Sequence, residues 1–181
     1  MGRTGSGKST LFLTILRIIE SEQGTILIDD VDISKLGLSD LRRKITIIPQ
    51  VLSLCNFLKS KDPLLYKGSL RDNLDLLHEH SDEVIWDCLE KVQMKSKFEN
   101  SLGLLTEIKE GGENLSAGEK QLLCIARAIL NKSKIILIDE ATSNIDTGTE
   151  QKILNTIRSN FLDCTVLTIA HRLKTIISSD R

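Results

Sequence analysis

The chain is 181 residues long, 40% apolar and 27% charged, a length and composition that suit one compact domain or one domain with a small subdomain. Its 24 basic and 25 acidic residues leave a net charge of -1, so the totals carry no nucleic-acid footprint, and no apolar run approaches the length that would span a bilayer. The cysteines Cys55, Cys88, Cys124 and Cys164 are far apart and match no metal spacing, which fits reduced thiols, and the start has no basic-then-apolar signal region.

The first element in the chain is the glycine-rich run GRTGSGKST, Gly2 to Thr10. Gly2, Gly7, Lys8 and Ser9 satisfy G-x-x-x-x-G-K-[ST], the pattern of a phosphate-binding loop. In such a loop the backbone N–H groups, here those from Arg3, Thr4, Gly5 and Ser6 onward to Thr10, curl around a β-phosphate. Lys8 is placed to bridge β- and γ-phosphates, Ser9 offers a hydroxyl to Mg2+, and the positive end of the following helix faces the anion. The alternative is a glycine-rich tail that matches by chance. The helix is expected over TLFLTILRIIE, with Leu11, Ile15, Ile18 and Ile19 on its apolar face.

Four short runs read as strands: TILI (25–28), ITII (45–48), IILI (135–138) and VLTI (166–169). The last two are apolar but for Thr168, which predicts strands buried on both faces. Arg42, Arg43 and Lys44 read as a solvated basic face. Strands alternating with helices imply an α/β fold, with 1–50 and 132–181 forming a core and 70–131 a mainly helical region. In SDEVIWDCLEKVQM, opened by Ser81 and Asp82, the residues Val84, Ile85, Cys88, Leu89 and Val92 form one helix face. Gly111 and Gly112 break the pattern before ENLSAGEKQLLCIARAIL. There Ser116 and Glu119 make a capping box, and Leu122, Leu123, Ile125, Ala126 and Ile129 an apolar face. The cap explains Ser116 as local structure; a functional reading adds that Ser116, Gly118 and the helix N-terminus form a second anion site. IILIDEATSNID closes on Asp139 and Glu140 at a strand end, where Asp139 suits the outer shell of Mg2+ and Glu140 can polarise a water. An acidic strand end facing solvent is the plainer alternative.

These motifs in this order resemble the nucleotide-binding domain of ATP-binding cassette (ABC) transporters over essentially the full chain. The wording of KITIIPQ, GSLRDNLD, EGGENLSAGEKQLLCIARAIL and DCTVLTIAHRLKTI is most similar to the second such domain of sub-family C, the multidrug-resistance-associated exporters. The resemblance implies a P-loop NTPase with a mainly parallel sheet and a helical signature subdomain, binding ATP and Mg2+. It implies that Gln50 touches Mg2+ and couples to transmembrane domains, that Ser143 to Asp146 form the D-loop, and that Glu140 and His171 are catalytic. The implied partners are a second nucleotide-binding domain, closing over ATP with Ser116 and Gly118, and the transmembrane domains of an exporter, at the cytoplasmic face of a membrane.

The chain departs from the family pattern in four ways. An adenine-stacking aromatic and the strand feeding the phosphate loop are expected before residue 1, so weak binding of ATP is expected, and terminal strands and a helix are expected after Arg181. On the resemblance, the sequence is therefore expected to be incomplete at both ends. Val51 to Lys61 has no counterpart and reads as an insertion, either an in-frame unspliced intron or a real surface loop. Glu119 replaces the usual glutamine, an unfavourable charge near a γ-phosphate unless its orientation or a neighbour such as Lys120 offsets it. Two other functions stand beside the exporter ATPase: a non-catalytic or partial nucleotide-binding fragment, and a chromosome-maintenance or DNA-repair head. Against the latter, no sustained heptads lie between Ser9 and Ser116.

Overall fold

The computed structural model of the chain describes residues 6–48, 65–139 and 145–169. Its centre is a parallel sheet of three strands in the order β3 (Ile45–Ile48), β6 (Ile135–Asp139), β7 (Thr165–Ile169). Ile45 to Ile48 pair with Ile135 to Ile138, and Ile135 to Asp139 pair with Thr165 to Ile169. The β-branched runs that predicted these strands are the residues that pack best on a pleated surface.

Because successive side chains alternate between faces, β6 divides two cores. Ile136 and Ile138 face a large cluster built with helices α4 (Asp82–Lys91), α6 (Ala117–Leu130) and α7 (Thr147–Asn160). Leu137 faces a smaller cluster with Phe12, Ile15 and Leu16 of and just beyond helix α1 (Lys8–Ile15), and with Leu41 of helix α2 (Leu38–Lys44). Strand β3 repeats the division, with Ile45 in the smaller cluster and Ile48 in the larger. Between the strands Thr46 Oγ1 and Ser133 Oγ share a 2.5 Å hydrogen bond.

The helix α1 buries a different face from the one its sequence predicts. Phe12, Leu13, Ile15 and Leu16 are buried, whereas Leu11, Ile18 and Ile19 are exposed. The periodicity misleads because the helix stops at Ile15 and Arg17 turns into the left-handed region at φ 49°, so Ile18 and Ile19 never join the helical stripe. The basic run at 42–44 is likewise more than a solvated face. Arg42 Nε donates to Leu16 O (3.1 Å) and its Nη2 to Arg17 O (3.1 Å), capping the end of α1 with a cation. Arg17 in turn donates to Ile33 O (3.1 Å) and Leu36 O (2.8 Å).

The run at 25–28 forms only the short strand β1 (Leu27–Ile28), paired antiparallel with β2 (Val31–Asp32). Asp29 and Asp30 make the connecting turn at φ 49° and 63°, the double left-handed turn that short polar residues tolerate. β7 also departs from expectation. It lies at an edge of the described sheet, with Thr165, Leu167 and Thr168 exposed and Ile169 buried.

From 65 to 130 the structure consists of helices joined by turns, with one ladder of β4 (Gly68–Ser69) and β5 (Glu107–Ile108). Helix α3 (Leu70–Leu74) is tied to α6 by Arg127, whose Nε donates to Asn73 O and whose Nη2 donates to Asn73 Oδ1 (3.2 Å). The buried Asn73 completes its bonding by donating to Tyr66 O (2.9 Å) and Ser69 O (3.1 Å), so no desolvated amide is wasted. In α4 the predicted face holds at Ile85, Cys88 and Leu89, with Val92 just past its end, while Val84 is exposed. The Cys88 thiol donates to Ala126 O at 3.1 Å, and burial pushes its pKa up to about 12. Among the described residues Cys88, Cys124 and Cys164 form no disulfide.

Candidate functional site

At the start of α1, Gly7 is the N-cap residue at φ 86°, a conformation that a side chain would strain. Its carbonyl accepts from Leu11 N–H at 2.9 Å, and it brings no side chain to cap the first turn. The orphan N–H groups of a helix start, with the positive dipole end, suit a phosphate. Lys8 and Ser9 occupy that first turn and are half-buried, Ser6 and Thr10 are exposed, and Thr10 O accepts from Thr14 Oγ1 at 2.7 Å. The turn is held down by Phe12, Ile15 and Leu16 against Leu137 and Ile169.

Asp139 ends β6 and is 4% exposed. Two residues beyond Leu137 and paired with Ile169, it stands on the sheet face that α1 covers. Asp139 and α1, which carries Ser9, therefore lie on the same side of the sheet, and a carboxylate and a hydroxyl are hard-oxygen donors of the kind Mg2+ takes. Among the described residues no group of three or more His, Cys, Asp or Glu side chains is placed to hold a metal ion. Gly2, Arg3, Thr4, Gly5, Gln50, Glu140, Ser143 and His171 lie outside the described residues, as does the insertion 51–61.

The signature helix α6 belongs to the other face, in the cluster that packs on Ile136 and Ile138. Its capping box is formed as the spacing predicts. Ser116 Oγ accepts from Glu119 N–H (3.2 Å), and Glu119 Oε2 accepts from Ser116 N–H (2.8 Å). Leu122, Leu123, Ile125 and Ala126 are buried and Ile129 is partly buried; Gly118, Gln121, Cys124 and Ala128 are buried as well, so the helix is covered nearly all round.

Gly118 has a packing reason for its identity apart from any ligand. A β-carbon there would stand 2.3 Å from Thr149 Cγ2 in the first turn of α7. That turn is capped by Asp146, whose carboxylate accepts from Thr149 N–H at 2.9 Å. Asp146, predicted as part of a D-loop, is thus the N-cap of α7.

The charge of Glu119 is offset, but by a residue that spacing did not single out. Lys97 Nζ donates to Glu119 Oε1 at 2.6 Å across a separation of 22 residues. Lys120 is directed elsewhere, its Cε 3.2 Å from where a Gly112 β-carbon would lie. Partial burial favours the protonated Glu119, yet the Lys97 ammonium and the Ser116 N–H outweigh it and hold the carboxyl below its ordinary range. No local periodicity could have revealed Lys97, because helix α5 (Lys95–Glu99) meets α6 only through the folded chain.

The family profile described as "ABC transporter" matches residues 1–143, and the chain belongs to that family. Its likeness within the family is to sub-family C. It is 50% identical over 182 aligned residues to ATP-binding cassette sub-family C member 2 of Rattus norvegicus, covering 100% of this chain and 11% of that protein. It is 48% identical to sub-family C member 4 of Homo sapiens, covering 100% of this chain and 13% of that protein. Among solved structures, a bacterial Atm1-family ABC exporter with ATP bound superposes with a TM-score of 0.83 at 34% identity, over 99% of this chain and 30% of that one. The chain thus spans roughly an eighth or less of the curated relatives' length. Among the described residues no helix is long and apolar enough to cross a membrane.

Proposed function

We propose that this chain is the ATP-binding and ATP-hydrolysing module of an ABC exporter, working at the cytoplasmic face of a membrane through associated transmembrane domains. The observation that carries this is the division of the motifs between the sheet's faces. The phosphate turn of α1 and Asp139 share one face while Ser116 and Gly118 head a helix on the other. Such a division suits a nucleotide held between two domains, the phosphate turn of one and the signature end of the other.

In this reading, backbone N–H groups from Gly2 to Thr10 and the Lys8 ammonium hold the β- and γ-phosphates, while Ser116 and Gly118 of a partner domain cover the γ-phosphate. Ser9, Gln50 and Asp139 would hold Mg2+, which neutralises charge shared between the β- and γ-phosphoryl oxygens. Glu140 orients the attacking water and accepts its proton, and His171 steadies the γ-phosphate. Burial of Asp139 beside α1 keeps a carboxylate at a fixed position, which reduces the reorganisation that catalysis must overcome. Closure is transmitted to the transmembrane domains near Gln50 and through the helical subdomain. The presence of Glu140 supports a hydrolysing half.

The test is ATP hydrolysis by the full-length protein carrying changes at Ser116 and Glu140. Asn and Asp both cap helices well, so Ser116→Asn and Ser116→Asp are expected to keep α6 intact. Only Ser116→Asp sets a charge against a phosphate, and it is expected to lower kcat/KM for ATP by about a hundredfold. Glu140→Gln is expected to stop turnover while ATP stays bound. Equal activity in both Ser116 variants would reduce Ser116 to a helix cap, and unchanged turnover in Glu140→Gln would remove that residue from catalysis.

A further inference from the structure

A carboxylate at the third position of the signature helix sits where a γ-phosphate should be least welcome, yet it is locked into a specific arrangement. Each oxygen of Glu119 has its own donor: Oε2 takes the Ser116 N–H at 2.8 Å and Oε1 the Lys97 ammonium at 2.6 Å. Lys97 and Glu119 are 41% and 27% exposed, so the pair is neither fully screened by water nor shut away from it. Lys97 stands on α5, whose Phe98 is buried in the same cluster as α6. The ammonium is therefore delivered from a separately anchored helix. On the same helix Lys95 pairs with Glu90 and Glu99 at 3.0 and 3.8 Å, whereas Lys97 pairs with Glu119.

We propose that Lys97 is a positioning residue for the signature end of α6. It turns the Glu119 carboxylate into the capping box and cancels its charge, so that the Ser116 hydroxyl and the N–H groups beyond it stay attractive to the terminal phosphate of ATP. The proposal rests on the reading that Ser116 and Gly118 meet that phosphate. It makes Lys97 and Glu119 a matched pair: the acid requires the base, and a neutral glutamine at 119 does not.

The experiment measures KM and kcat for ATP in the full-length protein, with the melting temperature of each nucleotide-free variant. Lys97→Met is expected to raise KM by about three- to tenfold, the scale of leaving a partly exposed charge without its partner, with kcat little changed. Lys97→Arg is expected to preserve KM, and the defect in Lys97→Met to shrink as salt is added. Glu119→Gln keeps the capping box and is expected to make Lys97→Met silent in its background. If Lys97→Met alone does not fold, the Glu119→Gln background carries the comparison. A difference of threefold or more in KM between Glu119→Gln and the double variant would overturn the proposal, as would an unchanged KM in Lys97→Met. Ser116→Asp run alongside separates the two failures. Intact hydrolysis there sinks the signature reading itself, whereas lost hydrolysis with a silent Lys97→Met sinks only the role of Lys97.

Discussion

Asp75 shows how one side chain can organise a loop. It is 6% exposed at the end of α3, and its two oxygens accept Glu79 N–H (3.1 Å) and His80 N–H (2.8 Å), with His80 Nδ1 3.5 Å from Oδ1. Around it, Arg71 donates to His80 O at 3.0 Å and pairs with Asp82 at 2.9 Å, stitching the loop to the start of α4. Burial is the largest single influence on Asp75 and favours its protonated form. The two backbone N–H groups and His80 together outweigh it and hold the carboxyl below its ordinary value. A lowered native pKa means stability that is present above the unfolded value and lost as pH falls through the native one. Asp75→Asn is therefore expected to cost about 1–3 kcal/mol at neutral pH, the scale of weakened bonds to a buried charged acceptor. Chemical denaturation of parent and variant across pH checks this: the gap should narrow below about pH 4, where the parent also loses its charge. A gap independent of pH would mean that the loop does not use the ionised form.

The meeting of α6 with α7 turns on Gly118. A β-carbon at 2.3 Å from Thr149 Cγ2 cannot be accommodated without movement, though alanine would otherwise favour the helix by about 1 kcal/mol. Gly118→Ala is expected to destabilise by about 1–3 kcal/mol, the usual cost of overpacking, and adding Thr149→Ser should recover most of that by removing the obstructing methyl. A Gly118→Ala variant as stable as the parent in thermal unfolding would contradict this contact. Elements were legible where their determinants lie close in sequence. The strand at 45–48 and the Ser116–Glu119 box needed only local pattern, and both formed as predicted. The buried face of α1 was not legible, because it depends on where Arg42, 25 and 26 residues away, closes the helix end. Nor was the exposure of β7, since an apolar run cannot say whether its strand is central or at an edge. Of the candidate site, the residue types and their order were legible, while the Lys97 partnership and the steric reason for Gly118 were properties of the packed chain alone.

At the scale of the molecule, β6 is the wall between the two apolar clusters, and its alternation assigns neighbouring residues to different halves. Ile136 and Leu137 are each 0% exposed, yet Ile136 supports the cluster around α6 and α7, whereas Leu137 supports the one that anchors α1. Truncation of either is expected to cost about 2–5 kcal/mol, the range for large-to-small changes at fully buried positions. The two losses should nevertheless be felt in different places, because local opening follows the contacts that are removed. In amide hydrogen exchange on the full-length protein, Leu137→Ala should lower protection in α1 first and raise KM for ATP through a looser phosphate turn. Ile136→Ala should lower protection in α6 and α7 first and leave α1 nearer the parent. Identical exchange patterns in the two variants would mean that both cores open as one cooperative unit, and the strand would then not separate the anchoring of the phosphate turn from that of the signature helix.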